Sequence, residues 1–341
     1  MTSWRQHAQG EWSVDDMPDQ SGKVFFITGG NTGLGFATAT ALLRRNAKVY
    51  ITSRDRERGQ LALERLRRIS ETIHVLPLDL SDLHSVRRAA LEFMRRREKY
   101  LHVLINNAGV MCTPAALLTR QRYDFQFGVN VLGHFYLTHL LLPILLTTAS
   151  VVSRALDKVR VVHYTCTLPP SSRVDYTTLM DGPVRRKRTP GQLYQQSKLA
   201  DLLLAVELAD QYADQGIVSI AVNPGNTFTE LTRHTKGVGT AIWNMLSHDV
   251  SKGIISPLFA ATAPIALDMN GKLLGPRARV QDIPTSMMER CAGETLWDWL
   301  AAQTECFEIV NGIGPICVAN ETAAPLGPGW RVFADDDRGG K

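Results

Sequence analysis

The chain has 341 residues, 44% of them hydrophobic and 21% charged, with 26 glycines and 16 prolines. That is a globular composition, and it excludes a collagen-like, low-complexity or wholly disordered chain. The net charge of +5 is spread along the sequence. It argues against a nucleic-acid partner and suits a phosphate-bearing small ligand.

Alternating strand-like and helix-like stretches run through the first two thirds. Lys23–Thr28 (KVFFIT) reads as a strand that enters a glycine-rich turn, and residues 36–45 read as a helix. Lys48–Ser53 is a second strand and residues 56–69 a charged amphipathic helix. A third strand over 72–78, a helix over 83–97 and a fourth strand over 101–106 follow. Residues 121–146 contain a long helix, Val159–Thr165 is a fifth strand, 194–211 a helix and 217–223 a sixth strand. Strands alternating with helices predict an α/β fold. It is a single Rossmann-type, doubly wound parallel sheet with helices on both faces. Residues 224–282 read as loops and short helices.

Residues 1–20 are expected to form an N-terminal arm, 21–310 one domain and 311–341 a tail rich in Gly, Pro and Asp. The arm lacks the order of a signal peptide. Residues 132–152 carry no formal charge and are long enough to span a bilayer. His134, His139, Pro143 and several threonines within them favour a buried core helix, so no transmembrane segment is expected. The five cysteines, Cys112, Cys166, Cys291, Cys306 and Cys317, hold no C-x-x-C pair. They fit a reducing, cytoplasmic setting and argue against disulfides or zinc. His134 and His139, five apart, do not share a helix face as a metal pair would, and no metal site is expected.

The turn after the first strand reads Thr28-Gly29-Gly30-Asn31-Thr32-Gly33-Leu34-Gly35. Glycines there let the backbone turn tightly and approach a pyrophosphate, and the next helix aims its first N–H groups at the anion. At the end of the second strand stands Ser53-Arg54, where an acid would accept hydrogen bonds from a ribose 2′-OH. A guanidinium there suits a 2′-phosphate, which points to NADP(H). Asp79-Leu80 closes the third strand beside the adenine, and Asn107-Ala108-Gly109 follows the fourth near the cofactor ribose. Tyr194 and Lys198 are spaced i, i+4 on one helix face. An ammonium beside a phenol lowers the phenol's pKa from about 10 towards neutrality, which makes Tyr194 a candidate general acid or base.

TGGNTGLG, NNAG, the Tyr194–Lys198 pair and Asn223-Pro224-Gly225 occur in this order. Together they resemble the short-chain dehydrogenase/reductase superfamily over about 21–303. Residues 129–135, 271–276 and Leu296-Trp297 look most like its retinol-dehydrogenase and WW-domain-oxidoreductase branch. The resemblance implies that Gly29, Asn31, Thr32, Gly33, Leu34 and Gly35 form the pyrophosphate turn. It implies that Asn107 supports the cofactor, that Lys198 binds the nicotinamide ribose, and that Asn130 holds a water joining Lys198 to solvent. Pro224, Gly225, Thr227 and Thr229 would border the nicotinamide, with Thr229 on its carboxamide. Members of the superfamily commonly pair through the helices carrying Asn130 and Tyr194, so the apolar helix after Asn130 fits either a homodimer interface or the core.

One position departs from the family. Alignment by Val161-Val162 puts Cys166 where the resemblance expects a serine on the substrate oxygen, and a one-residue shift would put Thr165 or Thr167 there. A thiol is a weaker, longer donor than a hydroxyl. The sequence therefore reads as an NADP(H)-dependent carbonyl reductase or alcohol dehydrogenase acting on a hydrophobic small molecule such as a ketone, aldehyde, steroid, retinoid or polyketide. The alternative is an NADP(H)-binding scaffold with impaired catalysis. A substrate lid is expected over about 228–284, with Trp243, Met245, Leu246, Ile254, Ile255 and Leu258 as apolar lining. The run Arg185-Arg186-Lys187-Arg188 reads as a solvated loop, with a nuclear-localisation or anion patch as the alternative.

Overall fold

The computed structural model describes residues 12–152, 157–225, 250–288 and 291–307. Its first strand, β1 (Val24–Ile27), is buried at all four positions. That is the outcome when helices cover both faces and neither side of the strand meets water. β2 (Lys48–Ser53), β3 (Ile73–Pro77), β4 (Val103–Asn106), β5 (Val159–Tyr164) and β6 (Ile217–Val222) complete the parallel part. The order is β3-β2-β1-β4-β5-β6, with pairs such as Phe26↔Leu104 and Ile105↔Val162 in register. Two-residue strands β7 (Leu273–Leu274) and β8 (Val280–Gln281) extend the sheet where the sequence reads as loops, β8 antiparallel to β7. Strands that short carry no measurable alternation.

The helices begin where the local chemistry fixes them. α1 (Gly33–Leu43) starts inside the glycine turn, three residues before the apolar pattern shows it. α2 (Arg56–Arg67) is capped by Asp55, whose carboxylate accepts from Arg58 N, and α3 (Leu83–Arg95) by Asp82 through His84 N. A helix runs from Phe125 through a π turn at Gly128–Leu132 into α4 (Gly133–Val152). α5 (Pro190–Tyr212) starts at a capping box between Thr189 and Gln192, with Pro190 in its first turn. α6 (Ile255–Thr262) and α7 (Ala292–Thr304) follow.

Two apolar layers hold the sheet. One packs Phe26, Leu104 and Val161 under α3, α4, α5 and α7, and the other packs Phe25, Ile27, Val49 and Val162 under α1, α2 and α6. α4 is long and apolar enough to cross a membrane by length and composition. Its buried side, including Phe135, Leu141 and Leu145, belongs to the first of these layers.

From Trp12 onward the arm is packed against the domain. Trp12 meets Phe259 edge to face at 5.5 Å and Met17 is buried, because apolar side chains at this spacing find the α6 side of the sheet. The described part of the expected lid is also core. Ile254 and Leu258 are buried in the second layer and Ile255 begins α6, while β7 and β8 join the sheet. Trp243, Met245 and Leu246 lie outside the described residues. Finally, the helices through which the resemblance expects two chains to pair carry α7 of the same chain. Leu296 and Leu300 are buried there, and Trp297 meets Phe135 at 5.0 Å.

Candidate active site

The strand order reverses between β1 and β4, and in such sheets ligands bind outside the carboxyl ends at that reversal. A cleft of about 600 Å³ opens there. Its walls include Gly29, Asn31, Thr32, Gly33 and Leu34 from the turn and Arg54 after β2. Asp79, Leu80, Asn107, Ala108 and Gly109, with Cys166, Tyr194, Lys198, Pro224 and Gly225, complete them. Residues far apart in sequence thus meet as the motifs imply. Thr227 and Thr229 lie outside the described residues.

Backbone geometry builds the turn. Gly29 has φ +64°, a conformation that a side chain resists. A Cβ on Gly35 would sit 2.6 Å from Asn107 Nδ2 and from Gly29 O, so the helix start packs against the turn only without one. Asn107 Nδ2 donates to Thr28 O at 2.7 Å, and Thr28 Oγ1 accepts from the Asn107 and Ala108 amides at 2.9 Å. His134 ties this turn to the π turn. Its Nε2 lies 2.8 Å from Thr28 Oγ1 and its Nδ1 2.8 Å from Asn130 O. Burial holds the imidazole neutral, its pKa lowered to about 4. The sequence shows His134 only as a packed or surface histidine, and its bracing role needs the fold.

Arg54 and Arg58 are both exposed at the cleft mouth, and Arg58 is a wall residue that the motifs missed. The nearest acid in sequence, Asp55, spends Oδ1 on the Arg58 amide at 2.9 Å. Asp79 Oδ1 accepts from Ser81 N at 2.9 Å and Ser81 Oγ at 2.7 Å, so that oxygen is held within its own loop.

At the other end, Asn130 is fully buried. Its Oδ1 accepts from Val110 N at 2.8 Å, and its Nδ2 donates to Val110 O and Ser197 Oγ, both at 3.0 Å. Its side chain is a brace between the loop after β4 and α5, set by the π turn. The three candidates after β5, Thr165, Cys166 and Thr167, all line the cleft. The buried hydroxyl of Thr165 donates to Lys198 O at 2.7 Å. Thr167 Oγ1 accepts from Asn223 Nδ2 at 3.0 Å. Cys166 is half-buried in the cleft wall, and burial pushes its thiol up to about 11, so it stays protonated.

The Tyr194–Lys198 expectation changes most. Lys198 Nζ donates to Asp201 Oδ2 at 2.8 Å and to Tyr164 O at 2.9 Å, all in the interior. Burial pushes the Tyr194 phenol well above its ordinary value, and Cys166, Asp201 and Cys112 push it the same way. With burial as the largest cause, no lowering towards neutrality occurs in this arrangement; the ammonium is paired with a carboxylate one turn further along α5. The sequence signal was present in Lys198-Leu199-Ala200-Asp201, an i, i+3 opposite-charge pair. Cys112, from the loop after β4, is a further cleft residue that no motif announced.

Three of the four residues in the basic run pair with acids of the same chain. Arg185 Nε meets Asp124 Oδ2 at 2.9 Å with both side chains buried. Arg186 pairs with Asp181 at 2.9 Å and Arg188 with Asp175 at 2.8 Å.

The family model described as short chain dehydrogenase matches residues 23–154. A short-chain dehydrogenase/reductase of Armillaria gallica is 42% identical over 306 residues, 89% of this chain and 97% of that one. Retinol dehydrogenase 12 of Mus musculus is 35% identical over 282 residues, 81% of this chain and 84% of that one. Among solved structures, an uncharacterised protein from Mycobacterium paratuberculosis aligns with a TM-score of 0.66 at 31% identity, covering 86% of this chain and 97% of that chain.

Proposed function

The chain belongs to the short-chain dehydrogenase/reductase family of oxidoreductases, and from that premise we propose that it is an NADP(H)-dependent carbonyl reductase for apolar small molecules, with Tyr194 as proton donor. One observation carries the reading: a single cleft joins the glycine turn, the two guanidinia after β2, and Tyr194 beside Lys198. The turn fits a pyrophosphate, since a Cβ at Gly29 or Gly35 would fill its cradle and the first N–H groups of α1 begin there. Arg54 and Arg58 suit a 2′-phosphate, and Asp55, the acid beside them, is engaged as a helix cap.

When bound, the reduced dinucleotide supplies the hydride to the carbonyl carbon. The protein's part is position and the proton. As the C=O π pair moves to oxygen, Tyr194 Oη gives up its proton there, and the phenolate then recovers one from solvent. Tyr194 is held in the form this direction needs, a neutral phenol. Lys198 has three N–H groups, two of them engaged by Asp201 and Tyr164, and the third is free to serve the nicotinamide ribose. Cys166 stands at the serine position with a protonated thiol, which donates to Thr167 O at 3.4 Å in this structure and turns from it to meet the substrate oxygen. Val110, Met111 and Val129 line the cleft, which supports an apolar substrate. Retinol, named in one relative, is an apolar alcohol of this kind.

The test is oxidation of NADPH and NADH by the purified protein against a panel of apolar aldehydes and ketones, with cofactor binding followed by fluorescence. Turnover preferring NADPH is expected. Tight NADPH binding without turnover on any member would overturn the reductase reading in favour of a scaffold.

A further inference from the structure

Leu117, Met180 and Val184 stay exposed at 41%, 45% and 45%. Two segments bring them to one corner beside the catalytic end of the cleft. Residues 113–124 run out from the cleft wall after Cys112, and residues 167–191 leave that wall at Thr167 and return to it at Gly191. Tyr123 of the first segment bridges antiparallel to Met180 of the second, and Asp124 N donates to Leu179 O at 2.8 Å. Arg185 fastens the two from inside. Its buried guanidinium donates to Asp124 Oδ2 at 2.9 Å and to Leu117 O at 2.7 Å. With Arg185 turned inward, its neighbours Val184, Arg186 and Lys187 face solvent. The corner is therefore a built surface whose apolar side chains point out of the molecule.

Its charge is as uneven as its polarity. The two segments hold seven basic side chains against three acids, so they carry +4 of the chain's net +5. Asp124 is buried against Arg185. Arg122 and Arg186 share one acid, Asp181, at 2.8 and 2.9 Å, which leaves the corner in cationic excess.

Single apolar side chains on a surface need no explanation, but a group of them among cations matches a partner that is apolar within and anionic at its face. An anionic phospholipid layer has that profile. Aliphatic side chains enter the boundary between headgroups and acyl chains while Arg and Lys hold the phosphates. An acidic protein face offers the charge but is poor in apolar area. We propose that this corner, Leu117, Met180 and Val184 with Arg186 and Lys187 beside them, docks the protein on an anionic phospholipid surface. Docking needs neither cofactor nor turnover, so it does not rest on the reductase reading. Taken with that reading, it sets the cleft where apolar substrates concentrate.

The experiment is co-sedimentation of the full chain with vesicles of phosphatidylcholine containing about 30% phosphatidylserine, and with phosphatidylcholine alone, at about 0.1 M salt. The parent is expected to sediment with the anionic vesicles and to remain in solution with the neutral ones. Each basic side chain near such a surface strengthens binding about fivefold, so Arg186→Gln with Lys187→Gln should weaken it by roughly 25-fold. Met180→Ser with Val184→Ser keeps the charge and removes apolar surface, and should weaken binding by about tenfold or more. Leu61→Ser, at an exposed position on α2, should bind as the parent does. Thermal midpoints should stay near the parent's throughout, and Val184→Ser alone serves if the apolar pair does not fold. No sedimentation with anionic vesicles, or equal sedimentation of the parent and the apolar variant, would overturn the proposal. Binding to soluble polyglutamate that matches the vesicles and ignores the apolar variant would give the corner to an acidic protein and overturn it equally.

Discussion

The two ends of the cleft are built on different principles. The dinucleotide end is backbone: a turn with Gly29 in the left-handed region, a helix start packed through Gly35, and amides gathered on Thr28. The catalytic end is side-chain charge: a thiol at Cys166, a phenol at Tyr194, and an ammonium at Lys198 already claimed by Asp201. Steric rules fix the first almost completely. The second is decided by which of several neighbouring groups reaches an atom first. The dinucleotide end should therefore tolerate changes at the catalytic end, whereas the catalytic end should be sensitive to single atoms.

The sharpest separation of the two ends comes from Tyr194→Phe. It removes the proton and nothing from the turn, so turnover should fall by roughly 10²–10⁴-fold. NADPH affinity, read by fluorescence titration, should stay within a few-fold. Arg54→Ala probes the opposite end. Loss of a charge-assisted contact to phosphate is worth about 1.5–3 kcal/mol, so NADPH should bind roughly 10- to 100-fold more weakly while NADH is unchanged. Equal losses for both cofactors would remove Arg54 from the 2′-phosphate. Cys166→Ser should raise kcat by about tenfold, because a hydroxyl donates better than the protonated thiol. An unchanged or lower rate would show that the substrate oxygen does not meet this position.

A further effect, on stability rather than on rate, lies where the two ends join. Burial lowers His134 from 6.5 to about 4 and His163 to about 3, so the unfolded chain takes up protons that the folded one refuses. Their contribution to stability is complete above pH 6.5 and is lost as pH falls towards 4 and 3. Urea midpoints should drop over that window, and His134→Gln should remove roughly 3 kcal/mol of the dependence. A variant whose acid limb matched the parent's would show that His134 does not carry it.

What the sequence discloses follows the same division. The six parallel strands are apolar runs bounded by turns, and each was legible within a residue or two. The glycine turn was legible for the same reason, since spacing alone sets its shape. β7, β8 and the core role of Leu258 were not, because a two-residue strand has no period and an apolar residue suits a lid as well as a core. Choosing between Thr165 and Cys166 needed the end of β5 in three dimensions. Both line the cleft, and the bond from the Thr165 hydroxyl to Lys198 O, which a sequence does not state, sets them apart. Asp201 was visible as a spacing, but its weight comes from burial, which a sequence does not state.

The central claim is that this cleft moves a hydride from NADPH to a carbonyl carbon while Tyr194 supplies the proton. It is tested most directly with NADPH deuterated at the transferring position and the best ketone of the panel, analysing the product by mass. One deuterium on the carbinol carbon is expected with the parent protein, and the same labelled product at a rate lower by the fold-loss stated above with Tyr194→Phe. Tight binding of the labelled cofactor with all deuterium retained on it in the parent would contradict the claim.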